Sequence, residues 1–385
     1  MVNYESKRHF DGNRIGTHFC RRGFPMCWAQ CPNCKIFYMK GTNMKKIKVG
    51  IVGCGGIAGG KHLPGHNSVK DVSIIAACDI DKARAKAFAK NHDIPNVFTD
   101  YEKLVEMDEL DAVSVCTPNN FHAGPTIAAL NAGKHVICEK PIAANAIDGQ
   151  AMVDAQKASG KILQIGLQSR FGAGARTLHK LHEDGFFGDI YYARAMAMRR
   201  RGVPASPSFL SKAIAGGGPL IDIGVHILDV LLWMIGCPKP VEAFGMTAKK
   251  FGDRDDVINP WGKWNPEDFE VEDFAMGTIK FEGELTVTLE TAWASHVQNI
   301  GGTFFMGDLA GATYEPLQIY LDKKDEMVNY EPELLSGLPG EFESFHTAIR
   351  KDLPSPVPAE EVLKVAKIFD ALYESARIGR SVPIL

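Results

Sequence analysis

The feature that most constrains the fold is a change of hydrophobic period along the chain. From Met44 to about residue 166, short β-branched runs alternate with segments of helical period. The runs are "KIKVGIV", "VSIIAACD", "VFTD", "LDAVSVCT" and "HVICEK"; between them lie "DKARAKAFAKNH", a segment from Tyr101, and a segment from Phe121 to Ala132. This alternation predicts βαβ units and a doubly wound parallel sheet, with a ligand crevice at the carboxyl ends of its strands. Past "KILQIGLQSRF", the strand candidates lengthen and alternate, as in "DIYYARAMAMR", "FEVEDFAMGTIKF" and "ELTVTLETAWAS". That pattern predicts a second, largely antiparallel open sheet over 167–358. The segment 359–385 opens with acids and closes with bases, suited to a final helix that packs back on the body.

Composition bounds what such a chain does. With 385 residues, 45% of them hydrophobic, there is material for two cores. A net charge of −3, from 43 basic and 46 acidic residues, gives no field for nucleic acid or an anionic membrane. The longest apolar stretch, "PLIDIGVHILDVLLWMIG", is interrupted by Asp222, His226 and Asp229, which argues against a membrane span. The expectation is a soluble, cytoplasmic protein with a small-molecule partner. Cys54, Cys78, Cys116 and Cys138 each end an apolar run and read as small buried hydrophobes of a reduced protein. Cys20, Cys27, Cys31 and Cys34 have a density suited to zinc but an irregular spacing, so residues 1–43 read as an extension outside the fold and no metal is expected.

Three strand exits carry the chemistry. "KVGIVGCGGIAGGKH" places five glycines between Gly53 and Gly60. Gly53, Gly55 and Ala58 fit G-x-G-x-x-[GA] between a strand and a helix, the fingerprint of a dinucleotide-binding Rossmann domain. Gly53, Gly55, Gly56 and Ile57 are therefore expected at the pyrophosphate. Asp79, at the next strand's end, is expected on the adenosine ribose, and Ile80 beside it offers no cation to a 2′-phosphate. "CTPNNFHAG" contributes Thr117, Pro118, Asn119 and His122, and "CEKPIA" contributes Glu139 and Lys140; these complete the expected cofactor-binding set. Pro141 disfavours helix at Lys140 and so holds it extended at the crevice edge. In the second domain, "GGGPLIDIGVHILD" sets Asp222, His226 and Asp229 on one face of an otherwise apolar helix, which suggests a lined cavity.

These motifs, in this order and at these separations, resemble those of the Gfo/Idh/MocA family of NAD(P)-dependent oxidoreductases over roughly residues 44 to 385. The resemblance implies catalytic roles for Lys140, Asp222 and His226, with NAD as cofactor. It also implies hydride transfer between a ring secondary alcohol of a sugar, glycoside or inositol and the nicotinamide. A homo-oligomer formed through the open sheet face is expected as well. Arg170, the run "RRRG" from Arg199 to Gly202 with Arg200 foremost, Trp261 and Trp264 are candidate substrate contacts, since polyols demand donors and a stacking face. Two other readings stay open: a glycosidase working through transient ring oxidation and elimination, and a non-catalytic nucleotide-sensing module.

Overall fold

The computed structural model describes residues 46–385, and the extension with its four clustered cysteines lies outside them. The first domain is a six-stranded parallel sheet in the order β3-β2-β1-β4-β5-β6. Its strands are β1 (Ile47–Val52), β2 (Val72–Cys78), β3 (Asn96–Phe98), β4 (Ala112–Val115), β5 (His135–Cys138) and β6 (Leu163–Ile165). The crossovers are α1 (Leu63–Asn67, entered by a π-helical turn Ala58–His62), α2 (Lys82–Asn91), α3 (Tyr101–Val105), α4 (Ala123–Asn131) and α5 (Ala146–Ser159). Strand order reverses between β1 and β4, and there the glycine turn and the Thr117 loop stand side by side. The strands read as continuous apolar runs because helices cover both faces, and β4 is buried throughout.

The second domain opens with α6 (Ala173–Glu183) and β7 (Ile190–Met198), followed by short helices α7 (Pro207–Leu210) and α8 (Lys212–Ala215). A π-helical turn, Leu220–Gly224, leads into α9 (Val225–Met234). Then come β8 (Pro240–Ala248), β9 (Phe274–Phe281), β10 (Thr286–Ala292), β11 (Ile300–Gly307), β12 (Ala310–Thr313), β13 (Gln318–Lys323) and β14 (Glu326–Tyr330). Helices α10 (Glu341–Lys351) and α11 (Ala359–Ile378) and the short β15 (Val382–Pro383) close the chain. The nine strands form one sheet, β14-β13-β12-β11-β7-β10-β9-β8-β15, antiparallel except where β10 runs parallel to β7.

One face of this sheet is core. Ala193, Ala195, Ala275, Ile279, Val287 and Leu289 are buried in a cluster shared with α9 and α11. That packing accounts for the apolar stretch from Pro219: the helical run Lys212–Met234 is long and apolar enough to cross a membrane, but it is 72% buried inside the protein. The opposite face leaves Phe244, Met246, Met306 and Tyr320 between 38% and 48% exposed. Residues 269–273, placed in a strand by their alternation, precede β9 instead, because the buried Asp273 carboxylate gathers the backbone N–H groups of Lys250, Phe251 and Gly252 and turns the chain.

Candidate active site

The glycine turn has the form its residue types demand. Gly53 has φ +91°, and a Cβ there would lie 2.7 Å from the backbone of Cys116. Around Gly55 and Gly56 the space is open, and both are exposed together with Ile57, so bare backbone faces the crevice. Asp79 is buried at the end of β2, where its carboxylate accepts the N–H of Cys54 (2.9 Å) and of Asp81 (2.9 Å). Arg84 leans toward it, with Nη1 3.5 Å from both carboxylate oxygens. A turn with open backbone next to an anchored acid is what a pyrophosphate and its ribose require.

The exits of β4 and β5 divide into exposed and structural parts. Thr117 donates its hydroxyl to Phe121 O (2.9 Å), and the Asn119 amide donates to Ala215 O (2.9 Å), tying this loop to the last residue of α8 in the second domain. Pro118 is exposed on the same loop. His122, expected at the cofactor, is 1% exposed and has one ring nitrogen on Pro141 O (2.8 Å) and the other on Thr117 O (2.9 Å). Both nitrogens are spent, so His122 pins the two exits together and presents no surface to a dinucleotide. Glu139 is likewise sunk: it is 6% exposed and accepts Lys61 Nζ (2.7 Å) and His62 Nε2 (2.8 Å) at one oxygen and the Lys140 N–H (3.2 Å) at the other. Although burial opposes its charge, the hydrogen bond from His62 and the ammonium of Lys61 hold its carboxyl well below the usual range. It anchors the backbone that carries Lys140.

Lys140 reaches across to the second domain and donates Nζ to Asp222 Oδ1 (3.1 Å) and to the Asp222 carbonyl (3.2 Å). The other carboxylate oxygen accepts the Trp293 indole N–H (3.0 Å), and Trp293 is fully buried at the end of β10. One turn further on, His226 has its Nδ1 buried without a hydrogen-bond partner. Burial, reinforced by the nearby positive charge of Lys140, lowers the His226 pKa to about 4, so the imidazole is neutral at pH 7. Lys140, Asp222 and His226 therefore share one spot at the mouth of the crevice.

The expectations for Asp229 and Arg170 are corrected. Asp229 does not line a cavity with Asp222 and His226: it is 1% exposed and forked by Arg170, whose Nε and Nη2 donate to it at 2.8 and 2.6 Å. Arg170 also donates to Glu361 (2.5 Å) and is itself 3% exposed, so it ties α9 to α11 and is closed off from a substrate. Arg200 is exposed, and its backbone N–H, not its side chain, makes the recorded bond, to Asn299 Oδ1 (2.7 Å). Trp261 is 54% exposed and lies under the guanidinium of Arg199, 4.7 Å from the ring centroid. Residues that sequence reasoning missed are Lys61 and Trp293. The four cysteines in the parallel sheet are buried, as expected, and burial pushes the Cys54 and Cys78 thiols up to about 12.

Comparison with known proteins decides the family. Residues 47–167 match the model of the oxidoreductase family with an NAD-binding Rossmann fold, GFO_IDH_MocA, and residues 175–311 match the GFO/IDH/MocA C-terminal domain. The chain belongs to the GFO/IDH/MocA oxidoreductases. It is 33% identical over 343 residues to D-glucoside 3-dehydrogenase of Escherichia coli K12, covering 88% of this chain and 97% of that protein. Among solved structures, aldose-aldose oxidoreductase from Caulobacter crescentus, complexed with glycerol, superposes with a TM-score of 0.73 at 25% identity, over 88% of this chain and 100% of that one. Levoglucosan dehydrogenase in complex with NADH and L-sorbose shares the fold, with a TM-score of 0.73 at 24% identity over 89% of this chain. In this GFO/IDH/MocA chain, Gly53 to Ile57 and Asp79 fit NAD. The partly buried cluster of Lys140, Asp222 and His226 stands between the two domains.

Proposed function

We propose that this protein oxidises a secondary alcohol on the ring of a sugar, glycoside or inositol, with NAD as hydride acceptor. The observation that carries this reading is the Lys140–Asp222 pair (3.1 Å) with the buried, unpartnered Nδ1 of His226 one helical turn on. Oxidation of an alcohol releases a proton from oxygen and a hydride from carbon, and bound NAD supplies the acceptor for the hydride. His226 takes the hydroxyl proton as general base. The Lys140 ammonium stabilises negative charge developing on that oxygen. Asp222, held at both carboxylate oxygens by Lys140 and Trp293, is fixed where it can accept a bond from a neighbouring ring hydroxyl. Water-soluble polyols are bound by many such hydrogen bonds, and the similarity to a D-glucoside 3-dehydrogenase supports a glucoside ring as substrate.

The reading also includes a homo-oligomer in which the outer face of the nine-stranded sheet, with Phe244, Met246 and Met306, is covered by a second copy. A cytosolic location is supported by the five free cysteines among the described residues. Incubation with NAD and a panel of glycosides and inositols tests the activity. Net NADH supports a dehydrogenase, sugar release without NADH supports the glycosidase reading, and neither supports a nucleotide-sensing module.

A further inference from the structure

Just beyond the end of β7, paired with the segment that carries Trp293, stand three consecutive arginines, Arg199 to Arg201. Among the described residues, none of the three lies within salt-bridge distance of a carboxylate, whereas Arg170, Arg194 and Arg254 are all paired. Arg201 spends Nη1 on the carbonyls of Arg200 and Ser295 (2.6 Å each) and lies 4.8 Å over Phe251. Arg199 donates a single hydrogen bond, from Nη1 to Gly202 O (3.2 Å), so most of its guanidinium donors remain available.

The position of Arg199 is built. Its backbone N–H bonds to Ala292 O (3.0 Å), next to the Trp293 that holds Asp222, and Ser295 Oγ donates to its carbonyl (3.0 Å). Its guanidinium lies over the Trp261 ring, 4.7 Å from the centroid. The loop carrying Trp261 is stapled by Asn259, which accepts the Val203 N–H (3.2 Å) and donates to the carbonyls of Val203 (2.9 Å) and Gly262 (2.8 Å). Gly202 lets the two side chains close in, because a Cβ there would fall 2.8 Å from Arg199 Cδ and 3.6 Å from the Trp261 ring. Arg199 is thus bonded to the residue that precedes Trp293, and Trp293 in turn donates to Asp222 (3.0 Å), which sets the fork on the strand end next to the catalytic cluster. Lys140 and Arg199 together outweigh Asp222 by one positive charge.

We propose that Arg199, stacked on Trp261, binds a carboxylate carried by the substrate away from the oxidised carbon, so that acidic glycosides are preferred over their neutral counterparts. This rests on the reading of the cleft as a ring-alcohol dehydrogenase. A planar guanidinium held on an aromatic face presents two parallel N–H donors, the geometry that a carboxylate accepts in bidentate fashion. A neutral hydroxyl fills only part of that capacity and leaves the surplus charge uncompensated.

The test compares matched pairs: methyl D-glucopyranoside with methyl D-glucopyranosiduronate, and phenyl with 4-carboxyphenyl β-D-glucopyranoside. kcat/KM is read from NADH formation, and binding of D-glucuronate and D-glucose to the NAD-loaded protein is read by calorimetry. The expected result is a preference of roughly 10-fold to 100-fold for the charged member of at least one pair, weakening as salt is raised. Arg199→Met should bring that ratio close to one, with Arg199→Lys between. Because the ratio is taken within one protein, partial unfolding cancels from it. Gly202→Ala, which disturbs the stack without touching the charge, should also reduce the ratio. Equal or lower kcat/KM for the charged members of both pairs overturns the inference. NADH from no substrate, with D-glucuronate still binding more tightly than D-glucose, overturns the dehydrogenase reading and leaves the anion site standing.

Discussion

Acidifying the assay separates His226 from an ordinary histidine. An imidazole in water titrates near 6.5, whereas burial and the Lys140 charge bring His226 to about 4. That depression corresponds to about 3 kcal/mol of preference for the neutral ring, at about 1.4 kcal/mol per unit. At pH 5 roughly 90% of a group titrating near 4 is still neutral, against roughly 3% of one titrating near 6.5. A base must be unprotonated to work, so kcat/KM, which reports the free enzyme, should hold to about pH 5 and fall with a midpoint near 4. Lys140→Met removes the second cause of the depression, and the limb should move upward while turnover falls. His226→Ala should lower kcat by roughly 100-fold to 10,000-fold and abolish the limb. Stopped-flow NADH formation across pH 4 to 8, with circular dichroism at each pH to exclude unfolding, provides both readings. An acid limb centred near 6.5, or a limb surviving in His226→Ala with little loss of rate, would refute the assignment and transfer proton abstraction to another group.

Asp79→Ala should raise kcat/KM with NADP relative to NAD by at least about 10-fold, because it removes the repelling carboxylate and frees Arg84, now 3.5 Å from it, for a 2′-phosphate; steady-state kinetics with both cofactors checks this. Trp293→Phe leaves Asp222 Oδ2 without its donor and should cost roughly 10-fold or more in kcat/KM; an unchanged value with an unchanged melting temperature would show that the latch is idle. The buried rings of His66 and His346, like His226, have lowered pKa values, so the fold refuses protons that the unfolded chain accepts below about 6.5. Melting temperature should therefore be flat above pH 6.5 and fall between 6.5 and about 4, even though the raised carboxyls of Glu272, Glu341 and Asp370 act in the opposite sense; a flat profile by calorimetry across that window would contradict it. Light scattering should give at least a dimer, and charge introduced by Phe244→Asp on the outer sheet face should shift it toward monomer.

What was legible in the sequence was what adjacent residues decide. A glycine forced to positive φ, an acid at a strand end and a lysine before a proline each announce themselves within a few positions, and Gly53, Asp79 and Lys140 stand where that reasoning puts them. Partners far apart in the chain were not legible. His62, Ser114, His66 and His346 join end to end through hydrogen bonds of 2.6, 3.0 and 2.8 Å behind Glu139, yet the last link spans 280 residues. With Glu139 ionised and able only to accept, every donor in that chain must point toward it. The network thus fixes the tautomers of three histidines and holds the strand end that carries Lys140. No local pattern encodes it. The arginines show the same divide in the reverse sense: Arg170 and Arg199 look alike as bases beside apolar strands. Asp229, 59 positions away, has claimed the first, and among the described residues no carboxylate has claimed the second. An arginine's availability to a substrate is therefore a property of what the fold brings beside it, and only the unclaimed cation is left to select a ligand.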